Sequence, residues 1–240
     1  MANHSCPKEG RLDPNVNASL SKPARILVVD DHPVVRQGLV LTLNRVPGFS
    51  ICGEAESLAD ARAILIKERL DLVLVDLDLQ GANGLDLIKE IKQFHPQVLV
   101  LVLSAHDEDL YAERALRAGA RGYLMKNEKP ERLIAAVHTV LKGDLAISEN
   151  MRAKILENLV GNRDNRPGFT IDKLTDRELE VFRMLGLGLS TRGIAEKLSV
   201  SIKTVEAHFA HIKQKLGLQS GAELHHQAFH WTNSLAGGAK

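Results

Sequence analysis

Five polar residues stand at the ends of short apolar runs. Asp30 and Asp31 follow Ile26–Val29, Asp76 follows Leu72–Val75, Ser104 closes Val98–Leu103, and Lys126 follows Tyr123–Met125. If each run is a buried strand, these residues gather along one edge of a sheet, with the three carboxylates at adjacent strand ends. Carboxylates that close repel one another unless a cation neutralises them. An all-oxygen donor set suits Mg²⁺, which keeps several waters and takes phosphate oxygens. A carboxylate beside such an ion can attack a phosphoryl group and become an acyl phosphate, the role expected here of Asp76. Lys126 offers a point charge to the phosphoryl oxygens and Ser104 a hydroxyl donor. An Asp after a strand is more often a helix cap or a turn residue. Capping, however, explains neither a Ser nor a Lys at the last two runs.

The elements that must position these residues alternate along the chain. A weaker apolar run at Ser50–Cys52 brings the strands to five. Between and after them lie amphipathic stretches at Pro33–Val46, Leu58–Glu68, Gly84–Phe94, Asp109–Ala118 and Pro130–Leu141. The pattern predicts an α/β domain with a doubly wound parallel sheet. Its strands are apolar at nearly every position, as expected where helices cover both faces.

Residues 24–145 make up this domain. Residues 1–23, with Pro7, Gly10, Pro14 and Pro23 and little periodicity, read as a flexible tail. Residues 146–171 read as a linker that carries a helix at Ile147–Val160 and a turn-rich stretch at Gly161–Gly168. Residues 172–232 form a small all-α domain, and residues 233–240 a small-residue tail. The chain of 240 residues is 44% hydrophobic and 25% charged with net charge +1, so bulk charge singles out no partner. Residues 24–145 hold 15 Lys/Arg against 18 Asp/Glu, a net of −3 that leaves the remainder near +4. Cys6 and Cys52 are far apart and outside any CxxC spacing, which suggests neither a disulfide framework nor a zinc site; Cys52 is expected in the core. No apolar run approaches 18 residues and residues 1–22 lack a secretory h-region, so a cytoplasmic protein that does not enter the membrane is expected.

In the helical domain, Thr175-Asp176-Arg177-Glu178 has the capping-box pattern, followed by an apolar stripe at Leu179, Phe182 and Leu185. Gly186 and Gly188 are expected to break that helix. Ser190–Leu198, a short turn and Ser201–Leu216 then have helix-turn-helix proportions, and Glu223–Trp231 predicts a fourth helix. Val205, Phe209, Ile212 and Leu216 recur at helical spacing and pack inward. Lys203, Glu206, Ala207, Ala210, Lys213 and Gln214 therefore face out, where a recognition helix meets the major groove. Lys203, Lys213, Lys215 and His208 are phosphate-contact candidates. With three Lys against one Glu, residues 201–216 are only mildly basic, which is also the composition of an ordinary solvated face.

Two resemblances emerge from these residues. Asp30-Asp31, Asp76, Gly81-Ala82-Asn83-Gly84, Ser104-Ala105 and Gly122-Tyr123-Leu124-Met125-Lys126 resemble bacterial response-regulator receiver domains in type, order and spacing over residues 24–145. The resemblance implies a flavodoxin-like fold with a five-stranded sheet and phosphorylation of Asp76 by a partner sensor histidine kinase. It implies Mg²⁺ at Asp31 and Asp76, with Asp30 holding water and the backbone of Asp78 completing the site. It also casts Ser104 and Tyr123 as a switch pair whose hydroxyl moves toward the phosphate while the ring turns inward. Leu174-Thr175-x-x-Glu178, Gly188-x-Ser190, Ile194-Ala195-x-x-Leu198, Ser201-x-x-Thr204-Val205-x-x-His208 and Lys215-Leu216-Gly217 resemble LuxR-type DNA-binding domains. Together they resemble the NarL/FixJ subfamily of response regulators, which implies double-stranded DNA as partner, Thr204 in the DNA-facing set and a homodimer when phosphorylated or DNA-bound.

Departures from both patterns are specific. No Pro stands near Gln80, and Asn127 rather than Pro follows Lys126. Gly193 stands where the family commonly has Glu, Glu206 where Lys is frequent, and Gly221 where Arg is frequent. A carboxylate at position 206 disfavours phosphate but can accept from cytosine N4. Two rivals differ in kind. Asp76-Leu77-Asp78 also fits the Asp-x-Asp of haloacid-dehalogenase-like phosphatases, but Gln80 stands where Thr or Ser is expected and the paired acids come early. An interaction module that binds no DNA would lack salt-dependent duplex binding.

Overall fold

The computed structural model describes residues 22–79, 82–105, 108–159 and 171–236. The expected tail at residues 1–21, the turn-rich stretch at residues 161–168 and residues 237–240 lie outside the described residues, as do Cys6, Gln80 and Gly81. Five strands form one sheet: β1 (Ala24–Val29), β2 (Phe49–Ala55), β3 (Leu72–Val75), β6 (Leu99–Ser104) and β7 (Gly122–Met125), in the order β2-β1-β3-β6-β7 and parallel throughout. Helices α1 (Pro33–Asn44), α2 (Leu58–Lys67), α3 (Gly84–Phe94), α4 (Glu108–Ala118) and α5 (Pro130–Leu141) connect or follow them. This is the α/β doubly wound, flavodoxin-like arrangement expected. Its polar residues sit at the carboxyl edge beside the point where the strand order reverses.

Each strand is apolar on both sides because each side has its own cover. Ile26, Val28, Leu72, Leu74, Leu101 and Leu103 pack with Leu133, Val137 and Val140 of α5 and Leu43 of α1. Leu27, Val29, Val73, Val75, Val100 and Val102 pack with Leu65 of α2, Leu87, Ile88 and Ile91 of α3, and Ala112 and Ala115 of α4. Cys52 is half-buried at the margin of this second layer, a free thiol rather than a central core residue.

A two-residue hairpin that the sequence reading did not foresee, β4 (Asp78–Leu79) with β5 (Ala82–Asn83), carries the chain across the carboxyl edge before α3. Beyond α5 the chain returns to that sheet. Tyr123 N donates to Ala146 O at 2.9 Å, Ala146 N donates to Arg121 O at 3.0 Å, and Ser148 N donates to Glu108 Oε1 at 3.0 Å. Helix α6 (Glu149–Leu159) then lies along α4 with Met151 buried. The stretch read as linker therefore begins as part of the first domain's packing.

The second domain starts with a 3-10 turn at Ile171–Lys173 and holds α7 (Asp176–Gly186), α8 (Thr191–Lys197), α9 (Ile202–Leu216) and α10 (Gly221–Ala236). Thr175 and Glu178 close the expected capping box. Ser190 and Ser201 cap α8 and α9 by accepting from Gly193 N and Thr204 N, and Gly217 ends α9 in the left-handed region at φ +69°. α7 ends where the glycines were expected to break it, with Gly186 as its last residue. The missing Cβ of Gly186 also admits α10: an added Cβ would fall 2.3 Å from Ala228 O. Gly188, at φ +84°, makes the turn. α10 extends five residues past Trp231, anchored through buried Leu224 and Ala228 and a Phe182–Trp231 ring contact at 5.5 Å.

Candidate functional site

The main chain of the polar residues continues the sheet ladder one step beyond the strands. Asp30 N donates to Ala55 O, Asp76 N to Val29 O and Lys126 N to Ser104 O. Their side chains thus issue from neighbouring strand ends at fixed spacing. Asp30, Asp76 and Ser104 are all buried. Lys126 Nζ pairs with Asp30 Oδ2 at 2.7 Å and donates to Asp76 Oδ2 at 2.6 Å, so one ammonium stands against both carboxylates. The other oxygen of Asp30 accepts from His32 N at 2.8 Å.

Burial pushes the Asp76 carboxyl up to about 6, more than the Lys126 contact pulls it down, and the charges of Asp30 and Asp78 push the same way. Burial alone would lower the Lys126 ammonium, but its bonds to Asp30 and Asp76 hold it above the usual lysine range. The site therefore carries an excess of buried negative charge with one fixed cation in it.

Donor atoms of Asp30, Asp31, His32 and Asp76 all lie within 4.8 Å of one another. Three carboxylates, two of them almost dry, form an oxygen-rich pocket that fits a hard divalent cation such as Mg²⁺. His32 was not singled out in the sequence. Its backbone N–H donates to Asp30 Oδ1, and its Nδ1 lies 2.6 Å from Asp31 Oδ1, so the ring stands against the cluster. The Asp78 side chain is not in the group, although its charge reaches Asp76. Asp78 stands on β4, and the hairpin is pulled tight over the edge: Gly84 N donates to Leu77 O at 2.8 Å, and a Cβ on Gly84 would come 2.1 Å from Asp76 O. Only glycine lets the backbone of Asp76 sit there. Ser104 closes β6, and Tyr123 stands on the neighbouring β7 opposite Val102, with its ring already inward and buried.

In the second domain Val205 and Ile212 are buried, Phe209 and Leu216 are half-buried, and Lys203, Thr204, Glu206, Ala207 and Ala210 are exposed. Lys213 and Lys215 are half-buried. The Lys215 ammonium binds Glu178 Oε2 at 2.6 Å, the oxygen that also accepts from Thr175 N at 2.7 Å. Burial would raise the Glu178 carboxyl, but Lys215 and the Thr175 groups hold it below the usual range. Lys215 thus ties α9 to the start of α7. Burial and nearby Arg177 lower His208, so at neutral pH it is a hydrogen-bonding group rather than a counter-charge.

The two domains meet through α3, α4 and the start of α7. Arg114 of α4 donates to Leu174 O at 2.9 Å, Ile171 O at 3.1 Å and Asp176 Oδ1 at 3.1 Å. Lys89 of α3 holds the other oxygen of Asp176 at 2.9 Å. Tyr111 of α4 is buried and senses the charges of Arg183 and Glu180 on α7. No local pattern announces this latch, because its partners are about sixty residues or more apart. Among the described residues no helix is long and apolar enough to cross a membrane.

Comparison with known proteins accounts for both halves. Residues 26–138 match the response regulator receiver domain, and residues 172–228 match the bacterial regulatory proteins of the luxR family. Oxygen regulatory protein NreC of Staphylococcus carnosus is 37% identical over 204 residues, covering 83% of this chain and 94% of that protein. A LuxR-family two-component response regulator from Aurantimonas is 33% identical over 58% of this chain and 99% of its own, with a TM-score of 0.53. RcsB of Salmonella enterica serovar Typhimurium, solved bound to promoter rprA with the phosphomimetic BeF₃⁻, is 25% identical over 85% of this chain and 98% of its own, with a TM-score of 0.57. The chain belongs to the response regulators of the NarL/FixJ subfamily, transcription regulators in which a receiver domain is joined to a LuxR-type helix-turn-helix.

Proposed function

We propose that Asp76 accepts a phosphoryl group from a partner sensor histidine kinase and that the aspartyl phosphate controls binding of double-stranded DNA by α9. The observation that carries this reading is the Lys126 ammonium, 2.6 Å from a buried Asp76 carboxylate amid further carboxylates. An Asp76 oxygen attacks phosphorus, the P–N bond of the kinase phosphohistidine breaks, and the imidazole nitrogen leaves with the bonding pair. Lys126 then exchanges one carboxylate partner for a phosphoryl oxygen, and Ser104 offers its hydroxyl to another. Asp30, Asp31 and Asp76, with the backbone of Asp78, would hold Mg²⁺, which supplies charge neutralisation for the carboxylates and the incoming group.

Repacking around Ser104 and Tyr123 lies next to α4, which packs on β7 and carries Tyr111 and Arg114. That contiguity supports coupling from the phosphoryl site to the interdomain latch. The latch leaves the outer face of α9 exposed, so it restrains where the domain sits rather than covering its helix. Phosphorylation acts by freeing two such domains to meet DNA as a homodimer, on half-sites about one helical turn or a multiple apart. Lys203, Thr204, Glu206, Ala207 and Ala210 face the groove, with Lys213 and His208 at its margin. Lys215 reaches phosphate only by leaving Glu178. A cytoplasmic location follows from this partnership with DNA.

Intact mass of the full chain with Mg²⁺ and acetyl phosphate tests the first step. One phosphoryl adduct is expected on the wild type and none on Asp76→Asn. An adduct retained in that variant would overturn Asp76 as acceptor.

A further inference from the structure

Helix α10 carries three of the chain's ten histidines, His225, His226 and His230. His226 and His230 are one turn apart, and their ring centroids are 4.3 Å from each other at an interplanar angle of 57°. Both are exposed. The opposite side of the helix is fixed: Leu224 and Ala228 are buried, Trp231 stacks near Phe182, and Ala228 O closes on Gly186. The pair therefore projects from an anchored helix, in water, with ring nitrogens free to turn toward a common point. His225 is a step away around the helix and does not share that face.

We infer that His226 and His230 form a two-imidazole clamp for a late first-row divalent ion, with zinc as the ion of reference. Neutral imidazole is a borderline ligand that suits Zn²⁺, Ni²⁺ and Cu²⁺ and has little attraction for Mg²⁺. The chain would thus carry two cation sites of opposite preference, one of carboxylate oxygens in the receiver and one of ring nitrogens on α10. Among the described residues only the receiver cluster gathers three or more His, Cys, Asp or Glu donors. The α10 clamp consequently supplies two ligands and leaves the rest to water. Binding across one turn ties Ala228-bearing α10 into its helical form and places a dication on the domain that holds α9. Because the ion binds only the folded helix, it also raises the melting temperature of that domain.

The test uses the full chain with His4→Ala in every sample, to remove the histidine near the start of the chain, and with excess Mg²⁺ to occupy the carboxylates. Zinc affinity is measured by competition with a chromophoric zinc indicator at pH 7.5, alongside histidine ring signals by NMR. Wild type is expected to bind one zinc with shifts at His226 and His230. His226→Ala and His230→Ala should each weaken it at least tenfold and lose the zinc-dependent rise in melting temperature, while His225→Ala keeps both. All three replacements are at exposed positions, and circular dichroism confirms their folding. Zinc affinity unchanged in both His226→Ala and His230→Ala would overturn the clamp, as would affinity lost instead with Asp31→Asn.

Discussion

The carboxyl edge of the receiver sheet and the outer face of α9 are both polar, but they hold their charges in opposite ways. At the sheet edge two carboxylates are nearly dry, one ammonium bridges them, and every side chain springs from a strand end whose position the ladder dictates. On α9 the groove-facing side chains are exposed, and the one lysine with a strong partner, Lys215, uses it to brace its own domain. Chemistry on a covalent bond needs a few groups at fixed distances in low dielectric, so few sequences satisfy it. Reading DNA needs a rigid scaffold and then a choice of exposed side chains, which many sequences tolerate. Substitutions at the edge should therefore act as steps, and those on the helical scaffold as increments.

The largest expected effect is on phosphoryl transfer. Lys126→Ala should lower the rate of adduct formation from acetyl phosphate by about a hundredfold, of the order seen when a preorganised charge stabiliser is removed. Quantified intact mass against time checks it, and a rate within twofold of wild type would place the stabilising charge elsewhere. Next is Gly84→Ala. A Cβ 2.1 Å from Asp76 O forces the hairpin or the acceptor to move, at a cost of about 3 kcal/mol in urea unfolding. Gly193→Ala, whose Cβ meets only Ser190 Oγ at 3.4 Å, is the contrasting control and should not destabilise.

A third prediction concerns Asp76 as a buried charge. Its carboxyl sits at about 6, against 3.8 for an unburied one. A raised folded value contributes stability that is present below pH 4 and lost as pH rises through about 6. In Mg²⁺-free buffer at pH 7.5, Asp76→Asn should therefore be more stable than wild type, by about 3 kcal/mol at most. The difference should vanish toward pH 4. Urea midpoints at both pH values measure it, and a variant less stable at pH 7.5 would show that the Lys126 contact outweighs burial. The smallest effect lies on the scaffold. Gly193→Glu restores the second half of the α8 capping box, and it should raise stability by about 1 kcal/mol without altering phosphorylation.

Much of the molecule is legible in its sequence. Apolar runs on both faces identify a covered parallel sheet, and the same runs place Asp30, Asp31, Asp76, Ser104 and Lys126 at its edge. The capping box at Thr175 and Glu178 and the stripe from Val205 to Leu216 place the helix-turn-helix. Gly186 carries more than local reading shows. Its low helix propensity marks the end of α7, but the room it makes for α10 is visible only in the fold. The β4–β5 hairpin is too short to have a periodicity. The contacts of Arg114 and Lys89 with Asp176 join residues that only the tertiary fold brings together. His32 gave no signal of its own, because its links to the site run only to its neighbours in sequence, Asp30 and Asp31.

The most direct test is the affinity of the full chain for an operator selected from random duplex DNA, measured at 150 mM salt before and after phosphorylation. Wild type is expected to bind at least tenfold more tightly when Asp76 is phosphorylated. Arg114→Ala should gain part of that affinity unmodified, because its latch is already open. Equal affinity in the two wild-type states, with phosphorylation confirmed by mass, would contradict control of the DNA-binding domain by the receiver edge.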